Sequence, residues 1–359
     1  MSKLKLAMIG CGAIVERIHL PVATQSDQVE VTLLVDKDLT RARELADRFG
    51  VPGTAEDYQD AIRQVGTGVD AALVAVPNLL HGPVSTELLQ AGIHVLVEKP
   101  MALTSAGCDA MIAAAEASGA TFTVGLDSRF FWCYRFVKQA IDSGLLGEIQ
   151  GFELRRGGIF AWPVVSSYMF DRKRAGGGVL MDIGPHVLDL LLWWLGDYAR
   201  VEYRDDAMGG VEANCELDLT LKSGVSGVIE LSRDRELYNM WVLRGDRATL
   251  EVGSGGGTPP PVHLHLGDEP IIVTGVATHE KVADTSHRAP YERQLADFCD
   301  AIRDHREPLV GKEGKKCVDL IEACYASRQA LDYAWNYQDR TGQHAAAIHA
   351  TPHPLEAVR

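Results

Sequence analysis

Leu4-Lys5-Leu6-Ala7-Met8-Ile9-Gly10-Cys11-Gly12-Ala13-Ile14-Val15 is the stretch that decides the fold. A short apolar run ends in a glycine turn, and the turn opens a helix-like segment. Gly10 permits a tight bend. Gly12 lets an anion approach the backbone, where free N–H groups and the helix dipole favour negative charge. Ala13 and Ile14 carry the chain into the helix. The pattern is that of a first βα junction built for the pyrophosphate of a dinucleotide. Asp36 ends the next apolar run, Val29–Val35, where a carboxylate would accept hydrogen bonds from an adenosine ribose. Read without a nucleotide, the same glycines would make only a structural turn.

One position departs from the fingerprint. Val15 stands where a small residue normally allows close helix–strand packing, so the helix is expected to sit slightly outward. Asp36 favours NAD, because a carboxylate repels a 2′-phosphate. Lys37, Arg41 and Arg43 lie close by and leave NADP possible.

Further apolar runs follow at 71–76, 93–97 and 121–124, separated by helix-like stretches at 39–49, 55–64, 82–91 and 105–118. Continuous buried strands alternating with amphipathic helices predict a doubly wound α/β domain with a parallel sheet over 1–125. The pattern then changes. A helix over 129–143 and a strand over 149–156 precede Gly176-Gly177-Gly178 and an apolar helix at 187–195. Alternation dominates from 201 to 273, which predicts a mostly antiparallel sheet. Residues 290–337 return to helix. The expected second domain is α+β and runs over 126–337, with a polar tail at 338–359.

Bulk properties agree with two globular domains. The chain has 359 residues, 46% hydrophobic and 23% charged. A net charge of −14 argues against a nucleic-acid binder, and there is no polybasic membrane patch. No run of about 18 uncharged apolar residues predicts a membrane span, and the interrupted N-terminal run does not read as a signal peptide. The seven cysteines are scattered and never form a C-x-x-C pair, as expected of reduced thiols in a cytoplasmic protein.

Three clusters carry chemistry. Glu98-Lys99-Pro100 ends a buried strand, at the carboxyl end of a parallel sheet where ligands bind. Lys99 there either faces a nicotinamide or points to water beside Glu98. Pro77-Asn78-Leu79-Leu80-His81 ends a neighbouring strand and faces the same crevice; His81 is read as a cofactor contact or as an ordinary first-turn residue. Asp182 and His186 lie four apart at the start of the apolar helix, with Asp189 three further on. A histidine flanked by carboxylates has the fixed tautomer a general base needs, while Asp182 alone would serve as an N-cap. No further ligand lies at metal-binding spacing, so no metal is expected.

These motifs together, with Tyr291 to Phe298, resemble the Gfo/Idh/MocA oxidoreductases, the glucose–fructose oxidoreductase and inositol dehydrogenase family, over residues 4–335. The resemblance implies a Rossmann domain followed by a large, mostly antiparallel open sheet, and assembly as homodimers or homotetramers. It maps the catalytic residues to Lys99, Asp182 and His186. His186 would take the hydroxyl proton, Lys99 would polarise the same oxygen, and Asp182 would fix substrate and catalytic groups. Asp127 stands where many members carry Asn. Candidate substrate contacts are Arg129, Trp162, Tyr168, Phe170 and Arg172, alongside Asp182 and His186. The reaction implied is reversible oxidation of a secondary alcohol on a sugar, sugar derivative or cyclitol with NAD(H). Two alternatives remain: redox-neutral glycoside processing through a 3-keto intermediate on tightly held NAD, and a non-enzymatic sugar- or nucleotide-sensing regulator.

Overall fold

The computed structural model describes residues 2–254, 261–266, 270–273 and 288–331. The tail expected over 338–359 lies outside the described residues. The first sheet holds β1 (Leu4–Ile9), β2 (Val29–Val35), β3 (Gly53–Ala55), β4 (Ala71–Val74), β5 (His94–Glu98) and β6 (Phe122–Gly125). Its order is β3-β2-β1-β4-β5-β6, and every pair is parallel. The central strands are apolar along their length because helices cover both faces. The chain leaves β1 in one direction and returns to β4 on the other side. That reversal opens a crevice at the carboxyl ends of β1 and β4.

The second sheet holds β7 (Ile149–Arg156), β8 (Tyr198–Asp205), β9 (Asn214–Leu221), β10 (Ser226–Ser232), β11 (Met240–Gly245), β12 (Thr249–Gly253), β13 (Val262–His265), β14 (Pro270–Val273) and β15 (Gln329–Ala330). Its order is β14-β13-β12-β11-β7-β10-β9-β8-β15. All pairs are antiparallel except β7 with β10 and the two-residue β15 with β8. Phe152, Leu154, Leu217, Leu219, Ile229 and Trp241 face one side and pack under the helices Trp132–Asp142 and Gly184–Leu195. The latter is apolar on nearly every face, as a helix enclosed in a core must be. The opposite sheet face carries Glu153, Arg155, Asp218 and Glu230 in partial or full exposure.

Some sequence expectations shift. The helix expected over 55–64 is shorter, Gln59–Arg63, and is preceded by β3, an edge strand too short to show an apolar period. The helix expected from 129 begins at Trp132, after a 3-10 turn over Asp127–Phe130. The helical region after 290 splits into Ala289–Asp304 and Lys315–Ala326. Pattern alone assigned both to the second domain. Leu295, Phe298, Cys299 and Ile302 instead join Leu6, Met8, Leu34 and Leu73 beneath the first sheet. Helix Lys315–Ala326 contributes Val318 to a first-sheet core and Leu320 and Ile321 to the second-sheet core. The two sheets are therefore stitched by the end of the chain. The seven cysteines are all buried and unbridged.

Phe298 is 1% exposed and sits at the middle of that returning helix. Phe298→Ala should cost about 3–5 kcal/mol in urea unfolding. A loss below about 1 kcal/mol would mean that the helix does not complete the first core.

Candidate active site

The crevice opens into a cleft of about 1760 Å³ between the carboxyl ends of the first sheet and the second domain. A single small ligand needs roughly 300–1,000 Å³, so the cleft has room for two. Its first end is built on the glycine turn. Gly10 has φ +97°, and a Cβ there would lie 2.4 Å from the Ala75 carbonyl oxygen. Only glycine lets β1 turn this close to the end of β4. In front of Gly12 a Cβ would meet nothing within 4 Å. Cys11, Gly12, Ala13 and Ile14 face that open space, as do Asp36 and Lys37. Asp36 accepts hydrogen bonds from Cys11 N at 2.7 Å and Asp38 N at 2.9 Å. It ties the turn to the end of β2 and keeps acceptor sites for a ribose. Arg41 is held by Glu16 and by the Cys11 carbonyl. These residues fit a nicotinamide dinucleotide.

Val15 is fully buried and starts a π-helical turn, Val15–His19, before the α-helix Leu20–Gln25. The wider winding is a local irregularity of the kind found at functional sites. It delivers His19, whose Nε2 lies 2.7 Å from Glu98 Oε1. Both are buried. Burial pulls the Glu98 carboxyl upward, but the His19 hydrogen bond and the nearby cations outweigh it and hold the group below its usual range.

Pro77, Asn78 and His81 line the cleft. Two of them also brace it. Asn78 Nδ2 donates to the Ala175 carbonyl at 2.9 Å, linking the two sides. His81 lies with Nδ1 2.7 Å from the Pro100 carbonyl and Nε2 2.8 Å from the Val76 carbonyl. Both ring nitrogens face backbone carbonyls, and the neutral ring donates to one of them. His81 is a clamp holding the ends of β4 and β5 together, and only its carbon edge is left for a cofactor.

Lys99 occupies the centre. Its Nζ donates to Asp182 Oδ1 at 2.7 Å and to the Asp182 carbonyl at 2.8 Å. Burial lowers its pKa to about 8, with Arg233 and Arg156 adding to the effect against the pull of Glu98. Asp182 is not the N-cap of helix Gly184–Leu195; Ile183 holds that position. The Asp182 carboxylate lies between Lys99 and Arg233. It is positioned by the triple glycine: at Gly178 a Cβ would fall 1.9 Å from the Glu212 carbonyl oxygen. His186 Nδ1 lies 3.2 Å from Asp127 Oδ1 and 3.3 Å from Ser128 Oγ. Burial lowers the His186 pKa below its usual value. Burial, and the Asp127 carboxylate near it, push the Tyr291 hydroxyl well above its usual pKa.

Not every expected contact reaches the cleft. Arg129 is 3% exposed and pairs with Asp189 through two hydrogen bonds of 2.8 and 2.7 Å. The carboxylate expected to flank His186 is thus engaged elsewhere, and Arg129 is a structural partner rather than a substrate contact. Arg172 is exposed and reaches only the Gly210 carbonyl. Trp162, Tyr168 and Phe170 do line the cleft. So do Arg156, Arg174, Arg233 and Phe160, which sequence reasoning passed over, and Tyr291, which it named only within the family motif. Arg156 and Arg233 sit at the ends of apolar strands, and that was their one available signal. Among the described residues no His, Cys, Asp and Glu cluster has the makings of a metal site.

Asp189→Asn would leave Arg129 buried without its main anion. We expect a loss of about 3–5 kcal/mol in stability. Substrate KM of the folded enzyme should be unchanged, measured well below the melting temperature; a raised KM would return Arg129 to the substrate site.

Residues 4–126 match the model of the GFO_IDH_MocA oxidoreductase family, NAD-binding Rossmann fold, and residues 134–251 match the GFO/IDH/MocA C-terminal domain. A protein of Amycolatopsis mediterranei assigned as the oxidoreductase subunit of a UDP-kanosamine synthase is 30% identical over 90% of this chain and 95% of its own. D-glucoside 3-dehydrogenase of Escherichia coli is 30% identical over 54% of this chain and 55% of its own. The crystal structure of aldose-aldose oxidoreductase from Caulobacter crescentus, complexed with glycerol, superposes with a TM-score of 0.81 at 26% identity. It covers 91% of this chain and 97% of that one.

Proposed function

The chain belongs to the Gfo/Idh/MocA oxidoreductase family, and from that premise we propose that it moves a hydride between a nicotinamide dinucleotide and a secondary alcohol or ketone of a sugar, sugar derivative or cyclitol. One observation carries the reading. Lys99, 2.7 Å from Asp182, shares a cleft with a half-buried His186 whose Nδ1 lies 3.2 Å from Asp127.

When bound, the dinucleotide supplies the acceptor or donor of the hydride. The chain's own residues do the rest. Gly10 and Gly12 let backbone N–H groups meet the pyrophosphate. Asp36 takes the ribose hydroxyls and selects NAD over NADP. His186 Nδ1 lies 3.3 Å from Ser128 Oγ and 3.2 Å from Asp127 Oδ1; a proton on Nδ1, favoured by that carboxylate, leaves Nε2 as the basic nitrogen. With its pKa lowered, His186 is neutral at pH 7 and free to accept the hydroxyl proton in the oxidation direction. Lys99, protonated below about pH 8, donates to the same oxygen and stabilises the charge that develops there. Asp182 orients Lys99. Trp162, Tyr168 and Phe170 offer apolar faces to a sugar ring. The exposed polar face of the second sheet is the surface we assign to assembly as a homodimer or homotetramer. Seven unbridged thiols suit a reducing compartment, so we place the enzyme in the cytoplasm.

The test is NAD(H) absorbance with a panel of polyols and keto-sugars. Lys99→Ala and His186→Ala should each lower kcat/KM by about 10²–10⁴-fold. In the wild type, kcat/KM for oxidation should fall as pH rises through about 8, because Lys99 loses its proton. That limb should be missing from the residual activity of Lys99→Ala. A rate that instead climbs through pH 8 would make Lys99 the proton acceptor. Asp127→Asn should lower kcat more than it raises KM and should move the acid limb set by His186; an unmoved acid limb would remove Asp127 from the proton path.

A further inference from the structure

We propose that the substrate carries an anionic group, a carboxylate or a phosphate, and that Arg156 binds it at the same end of the cleft as the reacting hydroxyl. The inference rests on the oxidoreductase reading above and names its substrate class.

The topology places the arginine. β7 and β10 are a parallel pair inside an otherwise mostly antiparallel sheet, and Arg156 is in register with Leu231. Arg156 ends β7, and Arg233 follows the end of β10 by one residue. Parallel pairing therefore delivers both guanidinium groups to one end of the sheet, and both line the cleft beside Lys99 and His186. An antiparallel pair would have sent them to opposite ends.

Their surroundings differ. Arg233 pairs with Asp182 and lies 4.9 Å from the centre of the Phe160 ring. No carboxylate at this end forms an ion pair with Arg156 among the described residues. Glu98 holds His19, Asp127 Oδ1 lies 3.2 Å from His186 Nδ1, and Glu212 accepts from Tyr325 and Leu180 N. The Arg156 side chain has no hydrogen-bond or ion-pair partner among the described residues. It is half-buried and faces two other cations, Lys99 and Arg233. Burial, then repulsion from Arg156, lowers the Arg233 pKa to about 10. A partly desolvated guanidinium among like charges is unfavourable alone. An oxyanion relieves it, and the planar fork matches a carboxylate or a phosphate through two parallel hydrogen bonds. Neutral polyols offer nothing comparable. Arg174, exposed on the same cleft, adds positive potential that draws an anion in.

The experiment compares sugars that differ only in the group at C6, neutral in one and anionic in two. Glucose, glucuronate and glucose 6-phosphate are compared by NAD-linked kinetics and by calorimetric binding to the wild type with NAD present. We expect one anion to exceed glucose by about 10- to 100-fold in kcat/KM and in affinity. Glucuronate ahead of the phosphate identifies a carboxylate site, and the reverse order a phosphate site. Arg156→Gln should cut the anion-to-glucose ratio by about tenfold or more, and Arg156→Lys should restore part of it. Equal or weaker binding of both anions, or a ratio unchanged in Arg156→Gln, overturns the proposal. Tight anion binding with no turnover of any sugar would sink the oxidoreductase reading and leave the anion site standing. Turnover of neutral sugars without anion preference would do the opposite.

Discussion

A lysine ammonium held away from bulk water is the constraint on which this structure turns. Lys99 ends a buried strand, and a cation there is costly unless oxygen ligands replace its hydration. Asp182 supplies two of them, a carboxylate and a carbonyl. Asp182 belongs to the second domain and Lys99 to the first. The two sheets must therefore meet with their edges aligned. The close packing of Gly178 on Glu212, the Asn78 bridge to Ala175 and the shared helix Lys315–Ala326 all serve that alignment.

The same constraint tunes reactivity. A fully solvated lysine would stay protonated far above neutrality. Burial beside Arg233 and Arg156 brings Lys99 to about 8, within reach of physiological pH. Burial acts in the same sense on His186 and keeps it neutral. One physical cause, burial, thus lowers the pKa of both groups side by side. Glu98 and His19 form a second buried pair behind them, delivered by the π turn that begins at Val15.

The parts of the fold legible in sequence were those with a strong period. β1, β2 and β5 announced themselves as apolar runs, and the second sheet as alternation. Short or edge elements did not. β3 has three residues and no pattern, and helix Ala289–Asp304 looked like part of whatever preceded it. Its amphipathic face said that it would bury, without saying against which sheet. At the site, Gly10, Gly12, Asp36, Lys99, Asp182 and His186 were readable because their motifs are local. Arg129 was misread, since its partner Asp189 lies 60 residues away and was credited to His186.

The sequence by itself determined the class of the molecule: a glycine turn after a first strand, a parallel sheet, an alternating second sheet, and a Lys, Asp and His in short motifs. Such features depend on residues near one another along the chain, and backbone sterics and periodicity enforce them. Only the tertiary structure decided how each charge is satisfied. It gave Arg129 to Asp189, set both nitrogens of His81 against backbone carbonyls, and left Arg156 without a partner among the described residues. Those outcomes follow from which strand ends come together and in what register, and neighbours along the chain carry no record of that.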